Sequence, residues 1–318
     1  MRRVAAYVVI MLGFLFLFLA PFLHWYAVPR LQKAPLDKYD KIVATGFGKY
    51  FNTSPKLLRL VGPVPVENIQ IFRGDPSHGT SDDASYQEFN TLRDLQNGNI
   101  IQATKLTVAF DRVTGFAVLC CGEDPKEEGL TLKFPFGAQE TTYQLYDNTG
   151  ERAFPVKFIR EGDIQGLKVN VYQGSGGPVV ISHLDVPGTL VGQPDQNTVT
   201  ADISYLQTTT TWIEPETGAV IKGSQHAVQY LSFQGQPIQP LADLHLTYDD
   251  ATVTRHVSDS KHDLKQLHLV KSGIPAFGPI FGVILLVLGF LLLRGQRAPR
   301  EPRTRTAARP AAAEESSA

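Results

Sequence analysis

The order of apolar and polar positions divides the chain into an apolar run near its start, a long middle of alternating texture, and a second apolar run near its end. The second run, Ile274 to Leu293, carries no charge and stops at Arg294. As a helix rising ~1.5 Å per residue it would cover ~30 Å, the thickness of a bilayer's hydrocarbon core. The first run, Val4 to Leu23, ends in His24, Trp25 and Tyr26, where aromatic rings suit the headgroup layer. Its length and bulky end favour an uncleaved anchor over a secretory signal, whose apolar region is usually ~7–15 residues before a small-residue cleavage site. The predicted division is a cytoplasmic N-terminus over 1–3, a transmembrane helix over 4–26, an extracytoplasmic β-rich domain over 30–273, a second transmembrane helix over 274–293, and a basic disordered cytoplasmic tail over 294–318. Arg2 and Arg3 at one end, and Arg294, Arg297, Arg300, Arg303, Arg305 and Arg309 at the other, put both termini in the cytoplasm by the positive-inside bias. Gly13, Gly278, Gly282 and Gly289 offer surfaces on which the two spans could pack closely.

Between the runs the texture is that of strands. Leu106, Val108 and Phe110 alternate with polar neighbours, as do Leu130, Leu132, Phe134 and Phe136, then Leu167, Val169 and Val171, then Leu244, Leu246 and Tyr248. Pro135 marks the second of these as an edge or a strand end. The segment from Leu31 to Val61 reads as a membrane-proximal entry, and residues 75–99 as an exposed loop with a helical piece near 85–97. Gly174 to Pro178 and Gly192 to Asn197 read as turns, and a second helical piece is expected from Asp259 to Val270. The predicted fold class is mainly β: an antiparallel β-sandwich or a curled barrel of the soluble type, between two transmembrane α-helices.

One local device recurs. Asp111-Arg-Val-Thr-Gly115 and Glu214-Pro-Glu-Thr-Gly218 share an acid, a Thr and a Gly at the same spacing, and Tyr146-Asp-Asn-Thr-Gly150 is a shorter version. The acid and the Thr can hydrogen-bond the turn backbone, while Gly takes the positive φ that closes a short hairpin. Asp111, Thr114, Gly115, Glu214, Thr217 and Gly218 are therefore read as structural turn residues. Internal duplication and convergent hairpin chemistry explain the repeat equally well.

Composition removes several function classes. A formal net charge of −1 gives no nucleic-acid footprint. The histidines beyond His78, namely His183, His226, His245, His256, His262 and His268, lack the short ligand spacing of a zinc motif, so no metal site and no cofactor is expected. Asp75, Asp82 and Asp83 lack the regular oxygen spacing of a calcium loop, and Asp124 to Glu128 reads as a solvated acidic run. Ser175 lies among glycines without the Gly-x-Ser-x-Gly elbow, and no other catalytic signature occurs, so the chain is expected not to be an enzyme. The two cysteines, Cys120 and Cys121, are adjacent. They are read either as a vicinal disulfide, eased by Gly122, or as two reduced, partly buried thiols.

Two terminal spans around a β-rich domain, together with Phe110 to Gly115, Cys120-Cys-Gly122, Gly129-Leu-Thr-Leu-Lys-Phe-Pro-Phe136, Thr142-Tyr143, Tyr146-Asp147 and Glu214 to Gly218, resemble a family. It is the actinobacterial two-span envelope family of unknown function that is also labelled the porin PorA family, with PgfA among its members. The resemblance covers residues from about 5 to 294. It implies an actinobacterial plasma-membrane protein facing the cell wall, and relatives associated with envelope lipid trafficking and lipoglycan synthesis imply a lipid or glycolipid ligand. A lipid-spanning barrel needs strands of ~10 residues with an apolar outer band; helical spans and proline-broken strands predict no pore from this chain alone. The expected function is lipid or glycolipid binding in an apolar groove between sheets, with ligand-binding residues unassigned. The alternative is a protein-binding scaffold whose partners are envelope transport or synthesis proteins.

Overall fold

A computed structural model describes residues 2–52 and 59–294. The N-terminal apolar run is helix α1 (Arg2–Phe22), followed by the short α2 (Val28–Leu31). Ten strands come next: β1 (Tyr39–Asn52), β2 (Arg59–Gly74), β3 (Asp83–Asp94), β4 (Ile100–Asp111), β5 (Thr142–Asp147), β6 (Arg152–Ile164), β7 (Leu167–Val186), β8 (Val199–Ile213), β9 (Val220–Phe233) and β10 (Gln236–Tyr248). Helices α3 (Asp250–His268) and α4 (Ile274–Arg294) end the described chain. The arginine-rich tail predicted over 294–318 lies, after Arg294, outside the described residues, as does Met1. Among the described residues one helical stretch, within Asp250–Arg294, is long and apolar enough to cross a membrane; the N-terminal apolar helix is shorter by that measure, Arg3–Leu19.

The chain forms two compact units. The first holds the apolar helices, which meet through small residues. A Cβ added at Gly282 would lie 2.8 Å from the carbonyl oxygen of Gly13, and one at Gly289 2.5 Å from Ile10. Phe16 and Phe281 pack edge to face at 5.5 Å. As numbers rise along α1 the partners on α4 fall, so the two helices are antiparallel.

The second unit, His24–Lys271, is a single antiparallel sheet of order β4-β3-β2-β1-β10-β9-β8-β7-β6-β5. It curls into a half-barrel; among the described residues the ten strands make this one sheet and not the two of a sandwich. Two meanders meet where the first strand pairs with the last, with Thr45 opposite Thr247. The edge strands β4 and β5 are therefore consecutive in sequence. The segment between them, 112–141, runs from one edge to the other and hydrogen-bonds to both. Thr107 of β4 exchanges bonds with Asp124 at 3.0 and 2.8 Å, and Ala117 N–H donates to Gly129 at 2.7 Å. Leu130 N–H donates to Gln144 of β5 at 2.7 Å and its carbonyl accepts from Tyr146 at 2.8 Å. Both edges, which would otherwise present open backbone groups, are covered this way. The segment also supplies core: Leu130 and Phe134 are fully buried against Phe154, Val156, Tyr172 and Ile213.

The recurring turns hold this segment. Asp111 Oδ1 accepts from the backbone of Val113 (3.0 Å) and Thr114 (2.7 Å) and from the Thr114 hydroxyl (2.8 Å). Glu214 accepts from the backbone of Glu216 and Thr217, both at 2.8 Å, and from the Thr217 hydroxyl at 2.6 Å. Asp147 takes the Gly150 N–H at 2.7 Å. Gly115 and Gly218, at φ 74° and 73°, then face the crossing segment directly: a Cβ would lie 2.4 Å from the Lys133 oxygen and 1.9 Å from the Phe134 oxygen.

Several local expectations are corrected. Residues 31–61 are not a loose membrane-proximal entry but contain all of β1, a long strand buried at Ile42, Ala44 and Tyr50. The helical piece near 85–97 is strand β3, because Ala84 and Tyr86 are needed in a core with Val108 and Phe110. Residues 83–94 therefore leave the predicted loop. Gly174 to Pro178 lies inside β7, where Gly174 lets the Pro155 carbonyl approach closely. Leu130 to Phe136 is no strand, since its backbone bonds go to β5, to Gly115 and to Gly218 in turn. The helix expected from Asp259 starts earlier, at Asp250, capped by the Asp249 carboxylate accepting from Thr252 N–H at 2.8 Å.

If the glycine contacts hold the crossing segment, Gly218→Ala and Gly235→Ala separate strain from collision. Both have φ near 75°, but an added Cβ at Gly235 meets open space. Gly235→Ala is expected to cost ~1 kcal/mol, the left-handed penalty alone, and Gly218→Ala roughly 2–4 kcal/mol. Thermal melting of the full chain in detergent reads the difference, and equal losses would remove the clamp.

Candidate functional site

Inside the curl lies a cavity of about 550 Å³. The crossing segment fills one part of the concave face, and α3 borders the cavity with His256, Ser260, Asp263 and Leu267, while its Val253 and Val257 pack on Leu167, Val169 and Ile221. The remaining space is bounded by strands from both meanders. Because side chains alternate across a strand, each strand sends every second residue inward. Ile42, Phe72, Phe110, Phe134, Phe136 and Leu246 give the lining apolar surface, and Asn68, Gln70, Glu88, Asn148, Gln207 and Gln225 bring amides and a carboxyl group to the same space. The two kinds interleave, with Ile42 opposite Gln70 and Leu246 opposite Gln225. The apolar groove between two sheets is thus replaced by a cavity of mixed lining within one sheet.

The lining includes a buried carboxyl group. Glu88 is 2% exposed. Its carboxyl oxygens meet only the side-chain amides of Gln70 and Asn148, each at 3.4 Å. Burial pushes its pKa up to about 7, against partial compensation by those two amides. Glu127 is pushed up to about 8, first by burial and then by the neighbouring charge of Glu88. Burial lowers Lys133 to about 7, opposed by Asp111; its Nζ donates to the Val113 carbonyl at 3.0 Å and sits 4.3 Å over the Phe136 ring. At the α3 side, Asp40 is paired with Arg255 at 3.0 Å and His256 at 3.1 Å. Burial raises the Asp40 pKa, but the hydrogen bond and charge of His256, with Lys38 and Arg255, leave it below the usual value.

Four buried side-chain polar atoms among the described residues have no hydrogen-bond partner, and three belong to cavity-lining residues: Asn68 Oδ1, Thr131 Oγ1 and His256 Nδ1. A buried polar atom left unpaired costs ~1–3 kcal/mol. The lining amides suit an occupant that carries hydrogen-bonding groups, while the phenylalanine and aliphatic surface suits a hydrocarbon part.

The residues singled out from sequence lie elsewhere. Thr217 reaches the cavity lining; Asp111, Thr114, Gly115, Glu214 and Gly218 hold backbone. Cys120 and Cys121 are joined by a disulfide and do not line the cavity; the Cys121 carbonyl accepts from Ser85 Oγ at 3.3 Å. The residues that make the site, Asn68, Gln70, Glu88, Asn148, Gln207 and Gln225, come from four strands and a turn. Their one sequence signal is a large polar side chain at an inward position of a strand.

Glu88 yields a pH test. A carboxyl group whose folded pKa is raised contributes stability fully below its unfolded value, near 4.5, and loses it as pH rises through about 7. Glu88→Gln keeps the shape without the ionisation, and is expected to raise stability at pH 8 by on the order of 3 kcal/mol while changing little at pH 4. Glu127 keeps a residual slope of the same sign. Melting temperatures of wild type and variant that fall in parallel between pH 5 and 8 would show that Glu88 does not titrate there.

Comparison with known proteins supplies what the cavity alone does not. A family model described as Porin PorA matches residues 5–291. A relative described as Porin PorA, from Corynebacterium amycolatum, is 22% identical over 381 residues, covering 91% of this chain and 98% of the relative. With its apolar helices and its curled sheet inside one continuous match, the chain belongs to the porin PorA family.

Proposed function

We propose that this protein is a non-enzymatic, membrane-anchored component of the cell envelope whose half-barrel binds a lipid or glycolipid and assists its trafficking or envelope assembly. Family membership points to the envelope. The single observation that carries the binding reading is the cavity whose lining combines phenylalanine and aliphatic surface with side-chain amides, which matches an amphiphile better than a purely apolar or purely ionic ligand. The side-chain amides of Gln70, Asn148, Gln207 and Gln225 in the lining favour a glycolipid over a simple fatty acid, because amides and hydroxyl groups can both donate and accept.

Two spans with both termini cytoplasmic are part of this reading. They are supported by the uncharged Ile274 to Leu293, the arginines that follow it, and the close glycine packing of α1 on α4. A water-filled pore fits less well. The strands are long enough for one, several exceeding ten residues, but the outward positions of β8, β9 and β10 carry Thr208, Thr210, Ser224, His226, Asp243 and His245. Charged and polar groups facing hydrocarbon are costly, and the interior is packed with Leu130, Phe134 and Tyr172.

The test is extraction of the full chain purified from an actinobacterial host, followed by mass spectrometry, with a cavity-filling variant as control. Thr209 lines the cavity. Wild type is expected to retain roughly one amphiphile per chain through detergent exchange, and Thr209→Trp to retain at least tenfold less. Equal retention would assign the lipid to the helices. No retained lipid, with stable protein crosslinks in the native membrane, would leave the scaffold reading in its place.

A further inference from the structure

Strands β9 and β10 carry a second cluster on their other face. His226 and His245 lie nineteen positions apart in sequence, yet the register places them directly opposite each other. Their rings stack with centroids 3.8 Å apart and planes 12° from parallel. Both Nε2 atoms point to one carboxylate oxygen: Asp243 Oδ1 is 2.8 Å from His226 and 3.4 Å from His245. The three ligand-type atoms all lie within 4.8 Å of one another.

We propose that His226, Asp243 and His245 form a site for a divalent transition-metal ion of the zinc class. Two imidazole nitrogens and one carboxylate oxygen are a donor set that zinc takes at ~2.0–2.2 Å, which puts tetrahedral ligand atoms ~3.3 Å apart. The two histidine–carboxylate separations, 2.8 and 3.4 Å, bracket that value, and the stacked rings close the site by tilting their Nε2 edges toward a common point beside Asp243. The alternative use of the trio, two histidines sharing one carboxylate, gives that oxygen two imidazole partners. A metal ion instead uses both nitrogen lone pairs and the oxygen together.

The backbone favours the same conclusion. Asp243 and His245 are two apart on β10, so their side chains leave the same face, and His226 is fixed opposite by pairing on both sides, to Thr208 of β8 and to His245. Ser224 Oγ and Thr247 Oγ1, the next pair along, bond to each other at 2.9 Å and leave the ligand atoms free of competition. The side chains are 42%, 39% and 63% exposed for His226, Asp243 and His245, so an ion is reached from solvent. Three protein ligands leave a fourth position open to water or to an external donor. Such a set has no signature along the chain, because its spacing is set by pairing across a hairpin, not along a helix.

The experiment uses the untagged full chain in detergent, stripped with chelator and titrated with cobalt(II), then zinc(II). We expect one cobalt per chain with the intense visible absorption of a four-coordinate ion, displaced by zinc at one equivalent. His245→Ala and the shape-conserving Asp243→Asn are each expected to weaken binding roughly tenfold or more, with melting in chelator unchanged. Absence of saturable one-to-one binding at micromolar metal overturns the site. So does stoichiometric binding that survives in the His226→Ala/His245→Ala double variant, which would place the ion at other histidines.

Discussion

The half-barrel depends on one connection. Its two edge strands, β4 and β5, are neighbours in sequence but stand at opposite ends of a ten-stranded sheet. Laid flat at ~4.8 Å per strand, such a sheet would hold those edges ~43 Å apart. The segment 112–141 instead bonds to both, with Asp124 on Thr107 and Leu130 on Gln144 and Tyr146. That ties the edges together at one level and requires the sheet to curl. The same segment brings Leu130 and Phe134 into the concavity, so curling and core formation are a single event. The cavity is what remains of the concave face once this segment and α3 have been placed.

That dependence explains the two closely matching turns, Asp111 to Gly115 and Glu214 to Gly218. A segment without regular strand structure needs its backbone groups satisfied by something fixed. Gly115 and Gly218 supply it, giving carbonyls to Thr131 N–H at 3.2 Å and Phe134 N–H at 2.9 Å. Each turn is rigid because one acidic side chain satisfies two backbone donors and a threonine hydroxyl. Each ends in a residue without Cβ because the crossing backbone passes within van der Waals distance of it. The shared chemistry of Asp111 to Gly115 and Glu214 to Gly218 therefore has a shared mechanical use, whatever its origin.

What could be read from sequence was what short range decides. The alternating Leu106, Val108 and Phe110, the acid-Thr-Gly turns and the β character of the middle follow from period-two patterning and turn chemistry. The misreadings have long-range causes. β1 carries Gly46 and Gly48 where the facing β10 backbone and Leu244 come close, which erases the strand-like texture locally. β3 is rich in polar residues because Glu88 and Asn90 face a polar cavity rather than a core. Leu130 to Phe136 alternates as a strand does, yet its partners are two turns and an edge. The cavity gathers residues from strands over a hundred positions apart, and no spacing rule registers such a set.

Strand geometry also separates the two sites. Gln225 and Leu246 face each other across β9 and β10 and line the cavity; His226 and His245, one position along each strand, face each other on the opposite side. Successive side chains point to opposite faces, so neighbours in sequence belong to sites divided by the sheet backbone. Truncating a histidine leaves the cavity wall intact, and filling the cavity leaves the cluster intact. Occupancy of one face can influence the other only by shifting β9 against β10, and that pair is held by hydrogen bonds to β8 and β1 on its two sides. The two faces therefore stand on one support without sharing a side chain, so the amphiphile proposed for the concave side and the ion proposed for the outer one would bind independently.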